Sequence, residues 1–177
     1  MNKLDERVEE PNERRIEMPL NDSLPLTVRG KAKLEEELKR LMYTERPSVI
    51  KAIEEARAHG DISENAEYEA AKERQSMVEG RIVEIQGQIA GAEVIDPSLI
   101  KSDRIVFGAH VVLTDVETEE QVTYQIVGVD EADVKQGRIS ILSPLARAMI
   151  GKTAGDTFHV KSPKADKEFE IVEFSFK

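Results

Sequence analysis

Residues 57–68, RAHGDISENAEY, separate two long stretches that have the apolar spacing of amphipathic helices. The first stretch places apolar residues at Leu34, Leu38, Leu41, Val49, Ile53 and Ala56, and the second at Tyr68, Ala71, Val78, Ile82, Ile85 and Ile89. Steps of three, four or seven residues, with charged residues between, are typical of helices that bury one narrow face. Because the connection is short, the sequence predicts an antiparallel helical hairpin, with arms of about 30 residues and about 45 Å.

Local signals mark the ends of the two helices. Thr27 is a suitable N-cap for a helix that begins near Val28, because its hydroxyl can accept a hydrogen bond from a free amide of the first turn. Gly60 interrupts the first helical pattern and Gly91 ends the second. Pro47 lies inside the first helix and should kink it locally, since proline has no amide hydrogen. The hairpin is long and thin, so we expect its tip to be presented for use rather than packed away.

The apolar period changes after residue 97, where short β-rich runs alternate with Gly, Asp and Pro turns. The runs are 105–114, 121–127, 139–142, 157–160 and 169–174. Between the third and fourth runs, residues 143–150 predict a short helix with Ser143 as its cap and Pro144 at its first position. The predicted fold class is α+β with two domains. A helical hairpin covers residues 25–96, and a twisted antiparallel sheet wrapping one helix covers residues 97–177.

Composition limits the class of protein. The 177 residues include 25 Lys and Arg against 35 Asp and Glu, giving a formal net charge of -10, and they include no cysteine. This excludes disulfides and cysteine metal clusters, and it argues against a protein that coats nucleic acid through bulk positive charge. No run approaches the ~18 apolar residues of a membrane span, and the charged amino terminus differs from a secretory signal. We therefore expect a cytoplasmic protein, with residues 1–24 as a mobile acidic arm.

Asp61 and Glu64 lie three residues apart at the predicted tip, and two interpretations of them are open. Asp at a helix N-cap followed by Glu three residues later is nearly a capping box, and anions suit the amino end of a helix. Alternatively, the two carboxylates hold a hard cation such as Mg²⁺, which often takes only one or two protein carboxylates. In that case the remaining ligands would have to come from a partner.

Four basic residues lie just behind this acidic point: Lys51, Arg57, Lys72 and Arg74. An acidic tip with basic groups behind it would suit a protein that binds both a metal ion and an RNA backbone. The alternative is a set of solvated helix faces with exposed ion pairs, which contribute little. Tyr68 could stack on a base, but it also belongs to the apolar stripe, and we expect it to pack there.

Four stretches of the sequence resemble bacterial transcript-cleavage elongation factors of the Gre family. They are residues 25–30 (PLTVRG), 57–68, 126–133 (IVGVDEAD) and 143–148 (SPLARA). The resemblance runs from about residue 25 to residue 177 in the expected order and spacing. It is stronger to the GreA branch than to the GreB branch, because the hairpin is only weakly basic. Residues 1–24 have no counterpart in it.

The resemblance implies both a fold and an activity. The hairpin would be a coiled coil that enters the secondary channel of RNA polymerase, and the carboxyl-terminal domain would be FKBP-like and dock at the rim of that channel. Asp61 and Glu64 would be the catalytic acids that help to retain a second Mg²⁺, shared with the polymerase, which then hydrolyses its own backtracked RNA. Arg57 and Lys72 would contact the RNA or the channel, although Lys72 stands where arginine is usual.

The same resemblance implies an accessory factor rather than an enzyme, with no cofactor of its own, and we expect a monomer. Ser143 and Pro144, with neighbouring apolar residues, are candidates for the docking edge, and their alternative role is helix initiation. Two other functions remain as hypotheses, a channel-binding inhibitor of the polymerase and an FKBP-type prolyl isomerase. The three histidines, His59, His110 and His159, are scattered and indicate no metal site.

Overall fold

The amino-terminal part of the protein is a helical hairpin. The computed structural model describes residues 24–58, 66–161 and 166–177. The first arm of the hairpin consists of α1 (Val28–Arg40), a π-helical turn (Leu41–Glu45) and α2 (Arg46–Ala58), and the second arm is α3 (Ala66–Gly91). The predicted cap at Thr27 is confirmed, because its hydroxyl accepts a hydrogen bond of 2.9 Å from the amide of Gly30. No helix in the described ranges is long and apolar enough to cross a membrane.

The first arm is disturbed immediately before Pro47, where the sequence predicts a kink. The disturbance is a π-helical turn, in which the amide of Arg46 donates to the carbonyl of Leu41. In a regular α-helix the proline ring would clash with the carbonyl four residues earlier, and the proline could not donate a hydrogen bond. A turn with bonds between residues five apart avoids this conflict, so the helix continues past the proline.

A narrow apolar seam joins the two arms. Its buried residues are Leu34, Leu41, Val49, Ile53 and Ala56 on the first arm and Ala71, Val78, Ile82 and Ile85 on the second. Leu38, Tyr68 and Ile89 are partly buried against the same cluster. These are the positions that the helical spacing predicts, so the amphipathic pattern of the sequence is confirmed.

Three arginine–glutamate pairs link the arms beside the seam. They are Arg81 with Glu37, Arg46 with Glu79 and Arg74 with Glu45, with shortest nitrogen–oxygen distances of 2.9, 2.5 and 2.8 Å. The first two are bidentate. Hydrogen bonding to Arg81 lowers the pKa of Glu37, and the same contact raises the pKa of Arg81. Because bidentate pairs require one planar geometry, they help to fix the register of the two arms.

The carboxyl-terminal part is a five-stranded sheet with one short helix, which we call the sheet region. Its elements are β3 (His110–Asp115), β4 (Gln121–Val127), β5 (Arg138–Ser140), α4 (Pro144–Met149), β6 (Thr157–Val160) and β7 (Lys167–Ser175). The strand order is β5-β4-β3-β7-β6. The prediction of an antiparallel sheet was wrong at one edge, because β5 pairs parallel to β4. Two 3₁₀ turns, Val129–Glu131 and Val134–Gln136, connect these strands so that both run in the same direction. The alternation of apolar and polar residues along a strand does not predict such a parallel connection.

The core of the sheet region lies between the curled sheet and α4. Its buried residues are Ile105, Phe107, Ala109, Val111, Leu113, Ile126, Ile139, Ala146, Met149, Phe158 and Ile171. The predicted run at 105–114 was too long, because β3 begins only at His110. The preceding residues form a buried loop instead, in which the backbone of Ile105 bonds to Lys152 and Gly151.

A second, two-stranded sheet closes the base of the hairpin. β1 (Pro25–Thr27) pairs parallel with β2 (Glu93–Ile95), so the start of the first arm lies beside the end of the second. The sequence does not predict this pair, because three residues are too few to show a period. Leu26 is buried there and belongs to the seam cluster.

We expect Ile85→Ala to destabilise the hairpin by about 2–5 kcal/mol, because it removes buried methyl groups and leaves a cavity. Ile85 is 0% exposed. Val83→Ala is the matched control on the same helix, since Val83 is 66% exposed, and its effect should stay below about 0.5 kcal/mol. Urea denaturation followed by helical circular dichroism measures both. Equal effects of the two substitutions would contradict the assignment of the seam.

Candidate functional site

The two acidic candidates of the tip, Asp61 and Glu64, lie outside the described residues. They belong to residues 59–65, between the end of α2 at Ala58 and the start of α3 at Ala66. Neither their predicted capping role nor their predicted metal role is therefore tested by the geometry. In the described ranges, no three His, Asp or Glu side chains are grouped closely enough to hold a metal ion.

Arg57 lies on the last turn of α2, with its guanidinium carbon 5.7 Å from the centre of the Tyr68 ring on α3. Tyr68 packs against the seam cluster, as the sequence predicts, so it offers the guanidinium a ring fixed by that packing. A guanidinium at this distance is attracted to the ring, and its planar set of N–H groups suits a bidentate contact with a phosphate.

Lys72 lies one helical turn after Tyr68 and therefore on the same face of α3. Its ammonium donates a hydrogen bond of 2.8 Å to the side-chain carbonyl of Gln75 and is exposed. In the described ranges, no carboxylate lies within ion-pair distance of Lys72 or Arg57. Both side chains thus present a positive charge to solvent beside the tip.

The other two basic candidates have acidic partners. Lys51 lies 3.5 Å from Glu55 on its own helix, and Arg74 lies 2.8 Å from Glu45 on the opposite arm. Charge and spacing alone do not separate these two residues from Arg57 and Lys72, which only the family resemblance singles out. The structure does so by showing which charges are already paired.

Ser143 caps α4 and Pro144 begins it, between β5 and β6 in the sequence. The hydroxyl of Ser143 accepts a hydrogen bond of 3.1 Å from the amide of Ala146, and Pro144 is the first helical residue. Helix initiation is therefore confirmed as one role of this pair. Leu142 precedes them with 42% of its surface exposed, and Pro144 is exposed as well. Together these residues form an edge with exposed apolar surface.

The two histidines in the described ranges belong to the sheet region. His110 begins β3, and burial together with the nearby Lys177 lowers the pKa of its imidazole. His159 lies on β6, 3.7 Å from Glu168. The imidazoles are on different strands of the sheet, and His59 lies outside the described residues.

The sheet region also contains six aromatic residues that an isomerase pocket would require. They are Phe107, Tyr124, Phe158, Phe169, Phe174 and Phe176, and all are part of the hydrophobic core or pack against it. The rings of Phe158 and Phe169 stack with their centres 5.8 Å apart. These aromatic side chains therefore serve the core of the sheet region.

The junction between the hairpin and the sheet region depends on Glu131, a residue that sequence reasoning missed. Its side chain is buried, with 9% exposure of the residue. One carboxylate oxygen accepts hydrogen bonds from the amides of Thr27, at 2.8 Å, and Gly128, at 3.3 Å. The other accepts from the hydroxyl of Thr27. The sequence holds only an indirect signal for this contact. Residues 25–30 and 126–133 both carry the family resemblance, and Thr27 and Glu131 in these two stretches are hydrogen-bonded.

Comparison with known proteins gives matches along nearly the whole described chain. The family model "Transcription elongation factor, N-terminal" matches residues 24–94, and "Transcription elongation factor, GreA/GreB, C-term" matches residues 100–176. A protein of Magnetococcus marinus named "Transcription elongation factor GreA" is 57% identical over 89% of this chain and 100% of its own length. A protein of the same name from Halorhodospira halophila is 56% identical over 86% of this chain and 98% of its own length.

One solved structure is also similar in sequence. It is titled "Crystal structure of GreA factor homolog 1 (Gfh1) protein of Thermus thermophilus", is 26% identical, and covers 86% of this chain and 98% of that chain. The TM-score is 0.40, so the superposition is too loose to inform the arrangement of the hairpin and the sheet region.

We expect the side-chain Nε–H resonance of Arg57 to be shifted upfield by the Tyr68 ring. Tyr68→Phe should preserve the shift because it retains the ring, whereas Tyr68→Leu should abolish it while it keeps an apolar group on the seam. Proton–nitrogen NMR of the arginine side chains measures this directly. An unchanged Arg57 resonance in Tyr68→Leu would show that the guanidinium does not stack on the ring in solution.

Proposed function

The chain belongs to the GreA/GreB family of transcription elongation factors, and we propose that it stimulates RNA polymerase to cleave backtracked nascent RNA, with its hairpin tip inserted through the secondary channel. As an elongation factor it acts on the polymerase and is not itself the enzyme. The observation that carries the proposal is the position of Asp61 and Glu64 in the sequence. In the sequence they lie between the end of α2 at Ala58 and the start of α3 at Ala66.

The length of the hairpin suits this role. The first arm runs helically from Val28 to Ala58, which corresponds to about 46 Å at 1.5 Å per residue. The apolar seam and the Arg–Glu pairs bind the arms together along this length. We assign residues 25–96, the hairpin, to the coiled-coil domain of the family. Residues 97–177, with the curled sheet and α4, would be its FKBP-like domain.

The proposed chemistry uses Mg²⁺ that is shared with the polymerase. Two-metal phosphodiester hydrolysis needs one ion to activate water and another at the leaving oxygen, about 4 Å apart. Two carboxylates alone make a weak Mg²⁺ site, since this ion retains waters and takes further ligands from substrate phosphates. Asp61 and Glu64 would therefore complete a metal site only in the active site of the polymerase. This requirement explains why the protein would be an accessory factor with no cofactor of its own.

Arg57 and Lys72 are assigned to the RNA backbone in this proposal. Both are exposed and lack a carboxylate partner among the residues that the structure describes, and the guanidinium of Arg57 lies against the ring of Tyr68. The planar guanidinium suits bidentate contact with a phosphate, while the ammonium of Lys72 acts as a point charge. The net charge of -10 opposes binding to free RNA, so contact would occur inside the complex, where the polymerase positions the transcript.

Docking on the rim of the channel is assigned to the edge formed by Leu142, Ser143 and Pro144. The hydroxyl of Ser143 is used by its own helix, so the docking surface is expected to come from exposed apolar groups beside it. Leu142 and Pro144 provide such groups. The same edge would be used by an inhibitor of the polymerase, so docking alone does not distinguish stimulation from inhibition.

We expect Asp61→Asn and Glu64→Gln each to abolish stimulated cleavage while affinity for the polymerase remains within about twofold, because both changes are isosteric and remove only charge. Glu54→Gln is the matched control, since Glu54 is an exposed acid on α2. Gel analysis of RNA from backtracked complexes, together with a binding assay, measures both quantities. If the unsubstituted protein binds but shortens no transcript, stimulation of cleavage is wrong, and slower RNA synthesis in the same complexes would identify an inhibitor. If binding falls together with cleavage, the two acids have a docking or capping role.

We expect Leu142→Ser to weaken binding to the polymerase by about five- to tenfold, because it removes apolar surface from the centre of the proposed edge. Val172→Ser is a suitable control, since Val172 on β7 is also 42% exposed. Titration of labelled polymerase with each variant gives the dissociation constants. Equal effects of the two substitutions would remove Leu142 from the docking surface.

A further inference from the structure

We propose that Glu131 is a positioning residue for transcript cleavage, because it fixes the direction of the hairpin relative to the docking region. This inference rests on the proposed function, in which the sheet region docks and the tip reacts. Glu131 ends a 3₁₀ turn directly after β4, whereas its hydrogen-bond partners include the residue that begins the first helix. One side chain therefore connects the part that binds the polymerase to the part that reaches its active site.

The hydrogen bonds of Glu131 restrain the orientation of α1 relative to the sheet region. Its carboxylate accepts from the amide and the hydroxyl of Thr27, and the hydroxyl oxygen of Thr27 accepts in turn from the amide of Gly30. A buried carboxylate is costly unless donors surround it, and a helix amino terminus is a favourable place for a negative charge. Any rotation of α1 that breaks these bonds would leave the carboxylate without its partners from the hairpin.

Close packing of two glycines restricts the same junction. A Cβ atom on Gly30 would lie 2.0 Å from the carboxyl carbon of Glu131, and a Cβ atom on Gly128 would lie 2.7 Å from the carbonyl oxygen of Pro25. Both distances are far below van der Waals contact. The hairpin and the sheet region thus approach each other at two points where only hydrogen fits, which leaves little freedom for an alternative angle.

The length of the hairpin amplifies any error at this junction. With an arm of about 46 Å, a rotation of about 5° at the base would move the end by about 4 Å. A misplacement of about 1 Å can cost on the order of a hundredfold in rate when catalytic groups must be aligned. The junction can therefore affect the rate of cleavage strongly while the docking surface, and hence the affinity for the polymerase, is unchanged.

The experiment compares Gly30→Ala, Glu131→Ala and the double variant, with Gly87→Ala as the matched control. Nothing lies within 4 Å of a Cβ atom on Gly87. At saturating concentrations, Gly30→Ala and Glu131→Ala should each reduce the maximal cleavage rate by about tenfold or more, with affinity for the polymerase within about twofold. Gly87→Ala should leave both unchanged. The double variant should lose less than the product of the two single effects, because the clash at residue 30 requires the Glu131 side chain.

A distance measurement tests the junction without the polymerase. The sequence has no cysteine, so spin labels can be attached at Met77→Cys on α3 and Val172→Cys on β7, both at exposed positions. We expect one narrow distance distribution in the otherwise unchanged protein and a broader or displaced one in Glu131→Ala and Gly30→Ala. Thr27→Val removes both hydrogen bonds of the hydroxyl, to Glu131 and from Gly30, but keeps the bond from the Thr27 amide to Glu131, and it provides a milder variant should either of these fail to fold by circular dichroism.

The outcomes separate this inference from the proposed function. If the unsubstituted protein stimulates no cleavage, the proposed function fails and Glu131 positions nothing for cleavage, whereas a narrow distribution that broadens in the variants still shows that Glu131 fixes the direction of the hairpin. If cleavage is normal but the distributions and the maximal rates of all variants match those of the unsubstituted protein, the positioning role is wrong. Parallel loss of affinity and rate would make Glu131 part of the docking surface and would also overturn it.

Discussion

The buried carboxylate of Glu131 is the contact on which the arrangement of this molecule depends. A charge taken out of water must find donors, and Glu131 finds most of them on Thr27, the residue that caps the first helix. The Thr27 hydroxyl that donates to the carboxylate also accepts from the amide of Gly30. The same group therefore caps the helix and attaches it to the sheet region. Gly30 and Gly128 both lie at this contact: a Cβ atom at residue 30 would displace the carboxyl group of Glu131, and one at residue 128 would clash with the carbonyl oxygen of Pro25.

Beyond that junction the hairpin depends on a narrow seam. Each arm buries a single stripe of apolar residues, and bidentate pairs such as Arg81 with Glu37 hold the register from outside. A two-helix structure of this kind has little core to absorb a misplaced residue. The π-helical turn before Pro47 preserves the stripe, since Leu41 and Val49 both remain buried on either side of it. The direction of this narrow hairpin is therefore set by the junction at its base and by the packing of its seam.

Local patterns predicted a large part of this structure. The helical spacing and the caps at Thr27 and Ser143 depend on residues close in sequence, and each of these features is confirmed. The strand pairs β1–β2 and β4–β5 were missed, because neither a three-residue strand nor a parallel return leaves a period in the sequence. Glu131 was missed for a different reason. It belongs to an acidic stretch, which is typical of an exposed surface. Its burial depends on contact with a helix that begins about a hundred residues earlier in the chain. The resemblance had already singled out Arg57 and Lys72 among the four basic residues, and the structure adds the physical difference that Lys51 and Arg74 have carboxylate partners.

In the function that we propose, the docked sheet region sets the direction of the hairpin, and Asp61 and Glu64 would supply ligands for Mg²⁺ in the active site of RNA polymerase. The acidity of the chain fits this role, since it disfavours free RNA and leaves the positive charges of Arg57 and Lys72 for the complex. If the protein recruits Mg²⁺ to the active site of RNA polymerase, as we propose, the Mg²⁺ dependence of cleavage in backtracked complexes must differ with and without the protein at saturation. We expect the protein to lower the Mg²⁺ concentration for half-maximal cleavage, and this proposal stands or falls with that shift. An identical Mg²⁺ dependence in the two conditions, at any rate of cleavage, would contradict it.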